Sequence, residues 1–223
     1  MKKYYEAYDD RYQQVHKENL RWFDDSPSDI VLQMMEKYSV GKQERILEIG
    51  CGEGRDARFL LKNGYQVLAT DVSPAAIICC RQQDPEHENA YDCLDCLNCS
   101  NGETYDFIYA VAVIHMLVPQ EDRDGFYRFY AEHLTEKGVG LICSMGDGTG
   151  AFHTDITTAF DTKERLHEAS GKALQLANTS CRMVTAETFR EEILSSGLEI
   201  LEMGNTAVMP DFPEMIYAVV ARK

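Results

Sequence analysis

Short apolar runs bounded by polar turns recur along this chain, and through its middle they alternate with amphipathic stretches of helical period. Arg45-Ile-Leu-Glu-Ile49 is a run of strand length that leads into Gly50, Gly52 and Gly54, and a helix to about Lys62 is predicted behind it. Residues 66–70 predict a second strand. Ser73-Pro74 then supplies an N-cap and a first-turn proline for a helix through Cys80. Residues 105–111 read as a buried strand, 121–134 as an amphipathic helix and 139–144 as another strand. A helix capped by Thr185 and ending near Ser196 precedes two strands, 199–203 and 215–221, which pair antiparallel. The expectation is an α/β fold: a Rossmann-like, seven-stranded, mostly parallel sheet with helices on both faces.

Two segments fall outside that rhythm. Residues 1–44 carry Tyr4, Tyr5, Tyr8, Tyr12, Trp22 and Phe23 among many acids, and Ser26-Pro27-Ser28-Asp29 reads as a capping box for a helix to about Tyr38. Residues 146–183 are rich in Gly, Thr, Asp and His and interrupt the alternation at a strand end, where insertions serve as lids or substrate loops. At ~100–200 residues per domain, the 223-residue chain is one domain with embellishment. It divides into an N-terminal helical cap (1–44), a core (45–145), an inserted lid (146–183) and a C-terminal helix with a strand pair (184–223).

Charge narrows the partners. The chain has 22 Lys+Arg against 37 Asp+Glu, a formal net charge of −15, and no basic run longer than two residues. That field repels polyanions, so no nucleic-acid substrate is expected, and an acidic surface admits neutral or cationic acceptors more readily than anionic ones. Lys2 and Lys3 are followed by aromatic and acidic residues where a signal peptide needs an apolar stretch, and no segment reaches ~18 apolar residues. A soluble, cytoplasmic protein without membrane partners is expected; the oligomeric state is left open. The eight cysteines then read as reduced thiols. Cys93, Cys96 and Cys99 form a Cys-x2-Cys-x2-Cys run, but Glu103 stands where a ferredoxin-type run places its fourth cysteine, so no metal is expected.

The strongest chemical signal is Leu47-Glu48-Ile49-Gly50-Cys51-Gly52-Glu53-Gly54-Arg55, with Asp71 at the end of the next strand. Glycines there let the chain turn from strand to helix and let a ligand lie against bare main chain. Asp71 stands where a second-strand carboxylate accepts both hydroxyls of a ribose, so the site binds a nucleoside. A dinucleotide fingerprint counted from Gly50 needs glycine at Arg55. The pattern is instead Gly-x-Gly-x-Gly behind Glu48, and a carboxylate there suits a cationic, amine-bearing ligand better than a pyrophosphate.

These residues resemble the first motif of the class I S-adenosylmethionine-dependent methyltransferases. Tyr91-Asp92-Cys93-Leu94-Asp95 resembles the family's loop after the third strand, and Tyr105-Asp106-Phe107-Ile108 with Val113-Ile114-His115-Met116-Leu117 its fourth-strand motif. Tyr8-Asp-Asp-Arg-Tyr12, Leu20-Arg-Trp22 and Ser26-Pro27-Ser28 are similar to small-molecule members of the tellurite-resistance and thiopurine methyltransferase type. The resemblance implies S-adenosylmethionine as cofactor, held by Glu48, Gly50, Cys51, Gly52, Gly54, Arg55, Asp71, Val72 and Val111. Asp92 would accept from the adenine amine and the Cys93 amide would donate to the ring. Tyr12 or Trp22 would wall the sulfonium. His115, His153 and Asp155 are the candidate catalytic residues. Methyl transfer to a small-molecule acceptor is the expected reaction; in-line transfer needs alignment and exclusion of water more than a base. No Asn/Asp-Pro-Pro-Tyr/Phe signature follows residue 110, which disfavours methylation of a base or glutamine amino group. Two alternatives are a nicotinamide-dependent oxidoreductase and a non-catalytic S-adenosylmethionine-binding regulatory protein.

Overall fold

Alternation of side chains along each central strand fixes two apolar faces, and helices cover both. The computed structural model describes residues 2–22, 25–99, 102–167 and 170–223. Phe23 lies outside them. In chain order the elements are α1 (Ala7–Lys17), α2 (Asp29–Lys37), β1 (Arg45–Ile49), α3 (Arg55–Lys62), β2 (Gln66–Asp71), α4 (Pro74–Gln83), β3 (Tyr91–Cys93), β4 (Tyr105–Val111), α5 (Gln120–His133) and β5 (Leu134–Met145). There follow β6 (Phe152–His153), β7 (Thr162–His167), β8 (Lys172–Ala177), β9 (Arg182–Met183), α6 (Ala186–Ser195), β10 (Leu198–Val208) and β11 (Phe212–Arg222).

The main sheet has seven strands in the order β10-β11-β5-β4-β1-β2-β3. Strands β3, β2, β1, β4 and β5 are parallel; β11 runs antiparallel to both β5 and β10. Ile46, Phe107, Tyr109, Leu141 and Cys143 face one core with α2, α3 and α4. Leu47, Ile108, Ala110, Ile142 and Ile216 face the other with α5 and α6. Phe126, Tyr127 and Tyr130 of α5 are fully buried there, and each such side chain contributes about 1.5–3 kcal/mol. The strand order reverses at β1, between β2 and β4, and the carboxyl ends of these strands open the crevice where ligands of such sheets bind.

Two expectations are corrected. Ser28 does stand at the N-cap of α2, but the capping box is not made. Its amide and hydroxyl both donate to the buried Asp56 carboxylate, at 2.5 and 2.8 Å, which turns the hydroxyl toward α3 and away from the first amides of α2. The insertion is likewise no open loop. β7 and β8 form an antiparallel hairpin, while β6 pairs with β9 at its base. Lys172-Ala-Leu-Gln-Leu-Ala177 carries strand alternation, with Leu174 and Leu176 packing on Val15 of α1. The Tyr8 hydroxyl donates to the Ser180 carbonyl, Arg11 to those of Ala177 and Asn178, and the Ala177 amide to Gln14 Oε1. Cap and lid are therefore one unit across the strand ends. Among the described residues, no helix is long and apolar enough to cross a membrane.

Candidate active site

The site grows from the turn after β1. Gly50, Gly52 and Gly54 all have positive φ, and Gly54 (φ +77°) is the N-cap of α3. Close packing adds a second requirement: a Cβ on Gly50 would stand 2.4 Å from Val113 Cγ2, and one on Gly54 2.8 Å from Cys80 Sγ. These two glycines let β4 and α4 approach the loop. Asp71 locks it from the next strand, accepting from the Gly52 and Ser73 amides at 2.8 Å each. Burial pushes the Asp71 carboxyl up to about 6 against those two hydrogen bonds, leaving it ionised at neutral pH with spare lone pairs for hydroxyl donors.

Glu48 lies beneath the same loop, 5% exposed, and its Oε2 has no hydrogen-bond partner. Burial and the neighbouring Asp56 raise its carboxyl well above the ordinary carboxylate range. A buried acid with an open acceptor on a cavity wall fits the ammonium group of an amino-acid moiety, which would restore its charge. Arg55 is held by Asp211 (3.2 Å) and Ser28 Oγ (3.3 Å). Glu53 turns upward, accepting from the Trp22 amide (2.8 Å) and facing His16 Nε2 (2.8 Å), and so ties the glycine loop to the cap. The Cys79 sulfur and the Glu53 carboxylate push the His16 imidazole up to about 9. Those three are the one His/Cys/carboxylate trio within ligand distance among the described residues.

Two cavities meet over the loop and share Tyr8, Tyr12, Gly50 and Met116. The smaller, a recess of about 70 Å³, is lined by Asp71, Val72 and Val113 and by Leu94, Asp95, Cys96 and Leu97. Asp92 and Cys93 are not brought to it. Asp92 is exposed, accepting from the Cys93 amide and lying 3.8 Å from Arg81. The loop turns inward three residues later, where the Tyr5 hydroxyl donates to Asp95 (2.9 Å). Repetition of Asp-Cys at 92–93 and 95–96 makes the two registers alike in sequence, and only the length of β3 separates them. Cys96 faces the recess, whereas Cys93 and Cys99 are exposed.

The larger cleft, about 1540 Å³, runs from Glu48, Cys51, Gly52 and Arg55 past Val111 and His115 to Trp22 and the lid. Ala112, at φ +59°, turns the chain sharply after β4 and carries it into the Ile114–Met116 turn. Arg123 is fully buried, clamps Glu192 at 2.8 and 2.6 Å and donates to the Ile114 carbonyl at 2.8 Å, fixing that turn from below. His115 is thus held at the cleft wall, 4% exposed, with Nδ1 unpartnered. Burial, with Arg123 and Arg11, lowers its imidazole to about 4, so it is neutral. His153 and Asp155 are not brought to the cleft lining: His153 is exposed, and Asp155 caps a one-turn helix by accepting from the Thr157 amide.

Residues 47–139 match the family described as "Methyltransferase domain". Among curated proteins, the chain is 35% identical over 129 residues to hemagglutinin 1 of Eikenella corrodens, covering 54% of this chain and 40% of that protein. It is 30% identical over 100 residues to the probable S-adenosyl-L-methionine-dependent methyltransferase TehB of Haemophilus influenzae, covering 44% and 35%. The chain spans half or less of the length of the curated relatives it matches. Among solved structures, the CcbJ methyltransferase from Streptomyces caelestis superposes with a TM-score of 0.68 at 16% identity, over 99% of this chain and 98% of that one. A glycopeptide N-methyltransferase, MtfA, crystallised with S-adenosyl-L-methionine, superposes with a TM-score of 0.62 at 14% identity, over 89% and 95%. The family match sets aside the nicotinamide alternative. With the glycine turn, Asp71 and the β4 turn in order along one sheet, residues 47–139 carry a methyltransferase domain on a Rossmann-like sheet similar to that of the class I enzymes, whose cofactor is S-adenosylmethionine.

Proposed function

We propose that this chain transfers a methyl group from S-adenosylmethionine to a small molecule held between the glycine turn and the lid. The observation that carries the reading is the continuous cleft of about 1540 Å³ beyond the glycine turn. Pockets for one drug-sized ligand take about 300–1,000 Å³, so this cleft has room for a second molecule beside the cofactor. α1 and the β7–β8 hairpin roof it, bonded to one another, which favours an enclosed acceptor over a docked macromolecule. The relatives' names specify different acceptors, among them ribosomal RNA, malonyl-acyl carrier protein and glycopeptide, so size class is argued from the cleft alone.

Asp71 would hold the ribose hydroxyls, Glu48 the amino group, and the recess at Leu94–Leu97 the base. When bound, the cofactor supplies a methyl carbon made electrophilic by positive sulfur. The protein's part is to align a nucleophile with that carbon and keep water out. His115, with Nδ1 open on the cleft wall, is placed to hydrogen-bond and orient an attacking O–H, N–H or S–H group; an imidazole lowered to about 4 is a weak proton acceptor, so alignment is its main part. The test is incubation with S-adenosylmethionine labelled in the methyl group, offering pooled small metabolites, protein and RNA. Label in the small-molecule fraction supports the reading, and label in protein or RNA alone refutes it. Tight cofactor binding with no transfer to any fraction would identify a non-catalytic binding protein instead.

A further inference from the structure

Four arginines line the large cleft, and they divide into two kinds. Arg21 and Arg55 are paired with Asp25 and Asp211. Arg11 and Arg165 face no carboxylate among the described residues, in a chain with 37 acidic side chains. Arg11, on α1, is half-buried; Nε and Nη2 are spent on the carbonyls of Ala177 and Asn178 and on Thr179 Oγ1, and Nη1 makes no hydrogen bond. Tyr8 and Trp22 flank its guanidinium at 5.3 and 5.4 Å. Arg165, on β7, makes one long bond of 3.4 Å to the Asn178 carbonyl.

The acids that line the cleft are engaged by other groups or deeply buried. Glu53 is held by Trp22 and His16, Asp56 by Ser28 and Asp211 by Arg55, while burial raises the Glu48 carboxyl well above the ordinary carboxylate range. The charge that lacks a carboxylate partner in the cleft is therefore that of Arg11 and Arg165, beneath the lid.

A guanidinium kept from water without a counter-ion is costly, and the cost is recovered when an anion arrives. Carbonyls and a hydroxyl orient Arg11 without neutralising it, which leaves its charge for a ligand. The local field here overrides the acidic surface, which by itself favours neutral or cationic acceptors. Trp22, Tyr8, Phe152 and Phe212 also line this cleft and supply flat apolar walls. We infer that the acceptor is a small aromatic or otherwise flat anion, a carboxylate by preference, whose charged end is held by Arg11 and Arg165 under the lid while its nucleophilic end faces His115. This inference rests on the small-molecule reading above.

The experiment titrates 2-hydroxybenzoate, benzoate, benzamide and inorganic phosphate into the protein saturated with S-adenosylhomocysteine, by calorimetry. Benzoates should bind at least about tenfold more tightly than benzamide, the difference shrinking with added salt. Arg165→Gln should weaken benzoate binding about tenfold or more and leave S-adenosylhomocysteine affinity unchanged. Arg11→Gln should do the same; because Arg11 also ties α1 to the lid, the exposed Arg165 keeps the test independent of folding. Phosphate binding as tightly as benzoate would keep the anion site and overturn the aromatic specificity. Equal affinity for benzoate and benzamide, or benzoate binding unmoved in both variants, overturns the inference and leaves the functional reading standing. Failure to bind S-adenosylhomocysteine at all overturns the reading beneath it.

Discussion

Asp71→Asn separates the fold from the site. In the folded chain the carboxyl ionises at about 6 instead of 3.8, a shift that costs about 3 kcal/mol of stability at neutral pH. The sign follows from proton binding: between those values the folded state holds the proton more tightly, so the group favours the fold at low pH and that advantage is lost as pH rises through 6. The side chain accepts from the Gly52 and Ser73 amides, one on each oxygen. Asparagine removes the buried charge but offers one acceptor where there were two, which costs about 1–3 kcal/mol. The two effects oppose, and the variant should unfold within about 2 kcal/mol of the parent. Cofactor binding has no such compensation. Losing a charged acceptor for two ribose hydroxyls should cost about 2–4 kcal/mol, roughly 30- to 1,000-fold in Kd. Parent affinity should also fall by up to about tenfold per pH unit below 6 as Asp71 takes up its proton, and the variant should lack that slope. Urea denaturation and calorimetry with S-adenosylhomocysteine read the two quantities separately. A Kd within about threefold of the parent, or the same acid slope in both proteins, would refute the assignment.

Arg123→Met should cost up to about 3 kcal/mol by leaving the buried Glu192 with only the Tyr127 hydroxyl and the more distant Arg182, whereas the double change Arg123→Met, Glu192→Leu should recover part of that; an additive double variant contradicts the pairing. Gly50→Ala forces a Cβ into Val113 at φ +70° and should cost about 1–3 kcal/mol along with cofactor affinity, as thermal melts with and without S-adenosylhomocysteine would show. His16, raised to about 9, adds stability that is full below pH 6.5 and lost as pH rises through 9. His16→Asn should therefore flatten the stability profile across that window, and an unchanged profile would contradict the Glu53 contact.

The strand-turn-helix core was legible because its signals are local and mutually consistent: alternation in β1 and β4, positive-φ glycines between strand and helix, and Ser73 at the N-cap with its hydroxyl oxygen accepting from the Ala76 amide. Asp71 and Glu48 stand out as candidates for the same reason, one at the end of β2 and one within β1. The hairpin inside the inserted segment was not legible, since it gains its apolar contacts from Val15, some 160 residues distant, and a segment whose partner is that remote shows only weak alternation by itself. The recess register was missed because Asp-Cys occurs twice within five residues. Arg11 escaped notice because a cation without a counter-ion is a property of the surroundings, and composition pointed the other way. His153 and Asp155 carried the residue types of catalysis, yet their turn faces outward.

A crystal structure with S-adenosylhomocysteine tests the account most directly. It should place adenine in the recess beside Leu94–Leu97, the ribose hydroxyls on Asp71, the amino group on Glu48 Oε2 and the sulfur toward His115, with the part of the cleft at Arg11 and Arg165 still open beneath the lid. Adenine lying against Asp92 and Cys93, or a ligand that fills the cleft as far as Arg165 and leaves no room for an acceptor, would contradict it.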